Sequence, residues 1–243
     1  MNQKPKARSS KMPFVFVNMA MTADGKIAFA SGEFVPFGSK RDSKHLYELR
    51  ATADAVICGA RTVETTGTIL GNGGDRFRRR RLKSGLTEFP LRVIVSGGGS
   101  IDPTAKIFQK RFSPIIVLTT ERAPAKKLEQ IRKLADEVKI CGRTEVNIRA
   151  ALCWLRAEWN VRRLLCEGGG GLNDALFRAG LVDEIHVTIC PKIFGGRHSP
   201  TIADGAGFTK LALAERFALK SARRVKAELF TVFETPKAGR NSF

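Results

Sequence analysis

Short apolar runs and segments with helical spacing alternate along most of the chain. The apolar runs end at glycine or polar turns and predict strands over residues 14–19, 55–58, 92–95, 114–119, 138–141, 163–166 and 184–190. Apolar residues three or four positions apart predict helices over residues 39–53, 128–134, 146–159 and 172–179. Ser39, three positions before Asp42, marks the start of the first helix as a capping box. Strands that alternate with helices favour the α/β class, with a mainly parallel sheet covered by helices on both faces.

The C-terminal part of the chain follows another pattern. Residues 211–219 and 228–234 alternate or run apolar without helix signals, which predicts an antiparallel hairpin on the edge of the sheet. There is no internal repeat and no long linker. We therefore expect a single domain over residues 13–235, preceded by a disordered basic tail at residues 1–12 and followed by a polar tail at residues 236–243.

Positive charge is concentrated rather than spread evenly. The 243 residues carry a formal net charge of +19. One basic run lies inside a glycine-rich segment and comprises Arg76, Arg78, Arg79, Arg80, Arg81 and Lys83. A second group lies in the N-terminal tail and comprises Lys4, Lys6, Arg8 and Lys11. Such runs are typical of solvated loops, but an anionic substrate or cofactor, or a nucleic acid, would also favour them.

The cysteine and histidine positions argue against disulfides and metal sites. The five cysteines are scattered through apolar segments without a CxxC pair, which predicts buried thiols in a reducing compartment. None of the three histidines has the spacing to a cysteine that zinc sites require, so no metal is predicted. Because no run is long enough for a membrane span and the Lys-rich start lacks the apolar centre of a signal peptide, we expect no membrane partner and a cytoplasmic location.

The segment LLCEGGGGLN at residues 164–173 carries the clearest chemical signal. An apolar strand runs into four glycines and then into a helix, so the backbone can approach a ligand closely and the first helical amides can face a pyrophosphate. The four glycines are Gly168, Gly169, Gly170 and Gly171. Asn173 stands where the G-x-G-x-x-G fingerprint has its third glycine, which disfavours an ordinary Rossmann dehydrogenase.

Polar residues at two strand ends are candidates for catalysis. Glu167 follows the strand at residues 163–166, where it can accept hydrogen bonds from the amino and ring N–H groups of a pyrimidine or merely cap a turn. Asp24 and Lys26 follow the first strand, as a proton donor and a phosphate or carbonyl partner or as parts of a plain turn.

Four blocks of sequence, taken in order, resemble one family. They are NMAMTADGKIA at residues 18–28, LRATADAVICGARTV at 49–63, LLCEGGGGLNDALFRAG at 164–180 and VDEIHVTICPKIFGG at 182–196. This order resembles the pyrimidine reductases of riboflavin biosynthesis, the RibD C-terminal family, over about residues 14–233. The resemblance implies a dihydrofolate-reductase-like three-layer fold. It also implies NADPH-dependent reduction of the ribosyl group of a 5-amino-6-(5-phosphoribosylamino)pyrimidine to ribityl, by hydride transfer to C1′.

The same resemblance implies roles for individual positions. Cofactor contacts are expected at Ala20, Thr62, Thr66, Ser96, Gly168, Gly169, Gly170, Gly171 and Leu172. Arg50 and Glu167 correspond to substrate contacts, and Asp24, Lys26 and Glu167 are the candidates for catalysis. Thr66 and Thr68 stand where the family usually has Asp and Pro. Family members commonly form dimers through sheet edges, and Arg61 with the Ser96 loop favours NADPH over NADH.

Two other functions remain open at this point. The fold implied by the resemblance is shared with dihydrofolate reductase, so reduction of a dihydropterin is an alternative. The charge of +19 leaves a nucleic-acid-binding protein on a retired reductase fold as another. The H-x-E and P-C-x-x-C motifs of a zinc deaminase are absent from the sequence, which indicates a single-function reductase or a relative that acts on another carbonyl or imine substrate.

Overall fold

The computed structural model describes residues 11–236, so most of the two predicted tails lies outside the described residues. The strands are β1 (Phe14–Thr22), β2 (Ala55–Gly59), β3 (Leu91–Val95), β4 (Ile115–Thr119), β5 (Glu137–Ile140), β6 (Arg163–Cys166), β7 (Glu184–Cys190), β8 (Ala218–Val225) and β9 (Glu228–Glu234). The helices are α1 (Lys40–Arg50), α2 (Ala60–Thr66), α3 (Asp75–Lys83), α4 (Lys106–Gln109), α5 (Ala125–Leu134), α6 (Ile148–Glu158) and α7 (Gly170–Arg178). None of these described helices is long and apolar enough to cross a bilayer.

The described strands form one sheet in the order β5-β4-β3-β2-β6-β1-β7-β9-β8. Strands β1 to β7 are parallel to their neighbours within this group, and β9 and β8 pair antiparallel. Because β6 lies between β1 and β2, the loops after these three strands meet at one edge of the sheet. This edge is where ligands of open α/β sheets bind.

Two apolar layers flank the sheet and explain why its strands are apolar on both faces. On one face, Val15 and Val17 of β1 pack with residues of α6 and α7, including Leu152 and Leu176. On the other face, Phe16 packs in a cluster with residues of α2, α4 and α5. Alternate residues of one strand thus enter opposite layers, as the pleat requires. The α/β class, the three-layer arrangement and the mainly parallel sheet are confirmed.

The start of α1 follows the predicted cap, while its end differs. The Ser39 hydroxyl accepts hydrogen bonds from the amides of Arg41 and Asp42, 3.1 and 3.3 Å away. The helix ends at Arg50 rather than near residue 53. Its last carbonyl and that of Ala53 are both taken by the guanidinium of Arg81, so the chain leaves the helix there.

The C-terminal hairpin is confirmed on the sheet edge, but its first strand was predicted wrongly. Residues 211–219 were expected to form it, whereas Leu211–Leu213 is a 3₁₀ turn and β8 spans Ala218–Val225. Nearly all residues of β8 are exposed on both faces. An edge strand with no buried face has no apolar alternation to reveal it.

The basic run is a helix and not the solvated loop that its composition indicated. Phe77 and Arg81, four residues apart on α3, are both buried, and the Arg81 side chain is fully enclosed. Arg78 forms a salt bridge with Glu88. Arg76, Arg79 and the remaining members of the run are exposed. A run of arginines does not show the apolar spacing of a helix, because Arg81 alone among the arginines of α3 is buried. The short helices α2 and α4 were also not predicted.

Candidate active site

A cleft of about 1460 Å³ opens at the carboxyl ends of β1, β6 and β2. Its lining combines the end of β1, the start of α1, the α2 region with the segment after it, the glycine loop after β6, and the loop at residues 197–201. A site for one small ligand usually measures 300–1,000 Å³. This cleft has room for two ligands side by side.

The glycine loop presents an open helix end to the cleft. Gly169 is the N-cap of α7, and no described side chain caps this helix, so the amides of Gly170 and Gly171 remain available to an anion. A Cβ atom on Gly169 would lie 3.1 Å from the Thr62 hydroxyl. One on Gly170 would lie 2.6 Å from the Asp204 carboxylate and 2.7 Å from the Thr201 carbonyl. The glycines therefore keep this corner narrow and its amides accessible, which suits a pyrophosphate.

Arg50 and Glu167 form a buried pair on the cleft wall. Arg50 Nε lies 2.6 Å from Glu167 Oε1, and Arg50 Nη2 lies 2.6 Å from Glu167 Oε2. Arg50 Nη1 also donates to the Gly71 carbonyl at 2.8 Å, and Arg50 is only 4% exposed. Burial lowers the pKa of Arg50, but the charge and hydrogen bonds of Glu167 outweigh it and raise the pKa. Arg50 thus gives most of its donors to the protein and holds Glu167 in place at the cleft.

The turn after β1 places Lys26 in the cleft but keeps Asp24 out of its lining. Lys26 lines the cleft, with Nζ 3.4 Å from the Ser199 carbonyl. Asp24 accepts hydrogen bonds from the Thr22 hydroxyl and from the amide of Gly195, at 2.7 Å. These donors, the Thr22 hydroxyl first, lower the pKa of Asp24. An ionised Asp24 therefore braces the turn that carries Lys26.

Most residues proposed for the cofactor lie together. Those that line the cleft are Ala20, Thr62, Thr66, Gly169, Gly170, Gly171 and Leu172. Gly168 and Ser96 do not line it. The Gly168 carbonyl accepts the amide of Gly59 at 2.9 Å and joins the ends of β2 and β6. The buried Ser96 hydroxyl donates to the Ser100 carbonyl at 3.1 Å and closes its own loop.

Several polar residues of the cleft were not identified as site residues from the sequence, and three of them have side chains that bear on its chemistry. They are Asn18, Asp42 and Ser199. Asn18 Oδ1 and Ser199 Oγ are buried without a hydrogen-bond partner in the part of the chain that the structure describes. Asn18 had a usable signal, since it is a polar residue inside an apolar strand. Asp42 was considered only as part of a helix cap, and Ser199 lies in a loop without a pattern.

Two buried thiols lie near the Arg50–Glu167 pair, and we assign them no chemical role. Cys58 and Cys166 are both buried and free, and burial is the main cause that raises the pKa of Cys166 to about 12. All five cysteines are free and four are buried as predicted, whereas Cys153 is only partly buried. Among the described residues, no group of three or more His, Cys, Asp or Glu is placed to hold a metal ion.

The chain is similar to known proteins over nearly its whole length. The family model for the RibD C-terminal domain matches residues 13–230. A 2,5-diamino-6-ribosylamino-4(3H)-pyrimidinone 5′-phosphate reductase from Archaeoglobus fulgidus is 36% identical over 204 residues, which cover 84% of this chain and 92% of that protein. The reductase of the same name from Methanothermobacter thermautotrophicus is 33% identical over 221 residues, 91% of this chain and 97% of that protein.

A solved structure supports the fold independently. The pyrimidine reductase-like protein from Corynebacterium diphtheriae superposes with a TM-score of 0.79 at 22% identity, covering 93% of this chain and 92% of that one. At this identity the likeness shows the fold alone. Taken with the family match and the two reductases, it leads to one conclusion: the chain belongs to the RibD C-terminal domain family, with a dihydrofolate-reductase-like fold.

Proposed function

We propose that this protein is an NADPH-dependent reductase that converts the ribosyl group of 2,5-diamino-6-ribosylamino-4(3H)-pyrimidinone 5′-phosphate into a ribityl group. The observation that carries this proposal is the cleft of about 1460 Å³, which has an anion-binding glycine corner and a separate wall of ionisable side chains. Two such surfaces suit a dinucleotide and a polar substrate held against each other. The names of the two archaeal relatives support the choice of substrate.

The residues of the glycine corner fit a dinucleotide cofactor. The open N-terminus of α7 offers backbone amides to a pyrophosphate, and the close approach of Thr62 to Gly169 leaves a narrow slot that a larger residue would fill. Ala20 and Leu172 add apolar surface beside this slot. When bound, the cofactor supplies the hydride that the substrate carbon C1′ receives.

Ionisable side chains of the cleft outside the glycine corner position the substrate and handle its protons. Glu167, fixed by Arg50, keeps lone pairs toward the cleft that can accept hydrogen bonds from the ribosyl hydroxyls or the amino groups of the ring. Lys26 provides a donor for the ring oxygen as the ribose opens and for the nitrogen attached to C1′. Asp24 holds the Lys26 turn and does not itself meet the substrate.

The preference for NADPH rests on Arg61. It is exposed, lies in the first turn of α2 and lines the cleft close to Thr62. A guanidinium in this place suits the 2′-phosphate that distinguishes NADPH from NADH. Arg61→Glu should therefore weaken NADPH binding about 10- to 100-fold and leave NADH binding nearly unchanged.

We also propose that the protein forms a homodimer through the C-terminal hairpin. β8 is one of the two edge strands of the described sheet, and Leu219 on it is 59% exposed. An edge strand with unpaired backbone groups is a template for pairing with another chain, and a two-fold contact would cover both copies at once. Analytical ultracentrifugation should report a dimer at micromolar protein, and a monomer there would contradict this assignment.

The proposed activity is tested by turnover with purified substrates. We expect loss of NADPH in equal amount to the ribitylamino product, and no comparable turnover with a dihydropterin. Glu167→Gln should reduce kcat by at least about 100-fold while cofactor affinity stays within about twofold, because Glu167 faces the substrate and not the glycine corner. Normal turnover by Glu167→Gln would refute its role, and turnover of the dihydropterin alone would refute the proposed substrate.

A further inference from the structure

The first turn of α1 releases a carboxylate that its sequence pattern would have used as a cap. In a capping box, the residue at the third position bonds back to the amide of the cap residue. Here the Ser39 amide donates to Glu228 Oε1 at 2.7 Å and the Ser39 hydroxyl donates to Glu228 Oε2 at 2.6 Å. Glu228 thus accepts the hydrogen bond from the Ser39 amide that the capping-box pattern assigns to Asp42. The Asp42 side chain is therefore free to face the cleft, which it lines.

The surroundings of Asp42 leave its carboxylate short of donors. Burial, above all, and the nearby Glu228 raise its pKa, while the Thr188 hydroxyl opposes them. None of the described groups that shift this pKa is a cation. A Cβ atom on Gly38 would collide with the carboxylate, so the glycine preserves the space that Asp42 occupies beside the cleft. Among the described residues, Asp42 has no donor besides the Thr188 hydroxyl, so its partly buried carboxylate has acceptor capacity left for a ligand.

The other described carboxylates of the cleft already have partners. Glu167 is bound through both oxygens to Arg50 at 2.6 Å. Asp204 accepts from the amide of Thr201 at 2.9 Å and from its hydroxyl at 2.6 Å. Asp42 is thus the acid of the described lining that has most capacity left. Asn18 Oδ1, on the neighbouring strand β1, is a second acceptor without a donor.

The chemistry of the two possible substrate rings differs at one edge. In a 2-aminopyrimidin-4(3H)-one, the ring N3–H and the 2-amino group lie side by side and donate two parallel hydrogen bonds, which match the two oxygens of a carboxylate. In the deaminated ring, a uracil, the 2-amino group is replaced by a carbonyl, so the single N3–H is flanked by two acceptors. A carboxylate would attract the first edge and face repulsion from the second.

We propose that Asp42 is a specificity-determining residue that binds the N3–H and 2-amino edge of the pyrimidinone and so selects the substrate that has not been deaminated. This inference rests on the proposed function and assigns the ring-reading role to Asp42 instead of Glu167. Glu167 then acts nearer the ribosyl group. A reductase built in this way works before a hydrolytic deamination of its product.

The test compares two substrates on three proteins. The substrates are 2,5-diamino-6-ribosylamino-4(3H)-pyrimidinone 5′-phosphate and its deaminated uracil counterpart, each with NADPH. The wild type should favour the diamino substrate in kcat/KM by about 100-fold or more. Asp42→Asn, which replaces one acceptor by a donor, should reduce this ratio by about 10- to 100-fold. Asp75→Asn is the matched control, since Asp75 is exposed at the start of α3 outside the cleft lining, and should keep the wild-type ratio.

The outcomes separate this inference from the proposed function. Turnover of the diamino substrate with an unchanged ratio in Asp42→Asn, or a wild type that prefers the uracil substrate, would overturn the role of Asp42 and leave the reductase activity standing. No turnover of either substrate would overturn both. Thermal melting and NADPH titration establish that each variant is folded. If Asp42→Asn does not fold, Gly38→Ala serves instead, because its methyl group should displace the carboxylate and lower the ratio in the same direction.

Discussion

The two walls of the cleft satisfy their polar groups in different ways. On the wall formed at the ends of β2 and β6, Arg50 donates to Glu167 and to the Gly71 carbonyl, so the buried guanidinium is paired without a ligand. On the wall formed by β1 and the start of α1, Asp42 pairs with no cation and Asn18 Oδ1 with no donor among the described residues. The first wall, called the complete wall, is part of the folded framework. The second, called the open wall, has polar groups that a bound ligand would pair. Changes to the first should damage stability as well as turnover, whereas changes to the second should alter substrate affinity with little loss of stability.

The largest effect is expected from removing the acid of the complete wall. Glu167→Ala leaves the Arg50 guanidinium buried without its counter-charge, which should lower the free energy of unfolding by about 3 kcal/mol and abolish turnover. Glu167→Gln keeps an acceptor of similar volume and should lose clearly less. Urea unfolding of the three proteins measures both differences. An Ala variant as stable as the wild type would show that this wall is not part of the framework.

The support behind Arg50 should respond almost as strongly. Arg81 is fully buried and donates to the carbonyls of Arg50, Ala53 and Thr87. Arg81→Met leaves these carbonyls without a donor and should lower the free energy of unfolding by about 2–3 kcal/mol. Arg79→Met changes the same helix at an exposed position and should stay within about 0.5 kcal/mol of the wild type. Equal losses in the two variants would contradict the role given to Arg81.

Beneath the open wall, a pair of histidines should make stability depend on pH. Burial is the main cause that lowers the pKa of His45 to about 4, and burial also lowers the pKa of His186. Since both pKa values lie below the usual 6.5, the unfolded chain binds protons first, so stability is full above about pH 6.5 and falls as the pH drops toward 4. His45→Gln should remove about 2 kcal/mol of this dependence in urea unfolding at several pH values. An identical pH profile in the variant would argue against His45 as its source.

The smallest effect is expected at the unpaired acceptor of the open wall. Asn18→Ala removes an oxygen that has no partner among the described residues, so stability should change by less than about 0.5 kcal/mol. The KM for the substrate should nevertheless rise about tenfold, because a ligand donor loses its acceptor. Steady-state kinetics and thermal melting make the comparison. A large loss of stability with an unchanged KM would show that Asn18 supports the fold and does not bind the substrate.

The sequence predicted those parts of the fold whose signals are local. Apolar runs such as the one that contains Val15 and Val17 predict buried strands directly. Their alternation with helical segments predicted the α/β class and the parallel sheet. Two elements lacked such signals. α3 buries one arginine among several, and β8 is exposed on both faces, so neither shows the apolar period from which a helix or strand is identified.

The site was predicted where a motif stands next to a strand end, and missed where it depends on long-range contacts. The glycine loop and Glu167 follow β6 directly, so their place at the sheet edge could be deduced. The release of Asp42 depends on Glu228, which is 189 residues from the Ser39 that it binds. No local pattern records a hydrogen bond between the first turn of α1 and the last strand. Asp24 was chosen as a site residue for the same reason, because its partner at Gly195 could not be seen.

The most direct test of the account is the fate of the transferred hydrogen. NADPH carrying deuterium on one face or the other of nicotinamide C4 would be incubated with the protein and 2,5-diamino-6-ribosylamino-4(3H)-pyrimidinone 5′-phosphate, and the product examined by mass spectrometry and NMR. The account predicts that one of the two labelled cofactors delivers a single deuterium to C1′ of a ribitylamino product. Product without deuterium from either cofactor, or no product while NADPH binds normally, would contradict it.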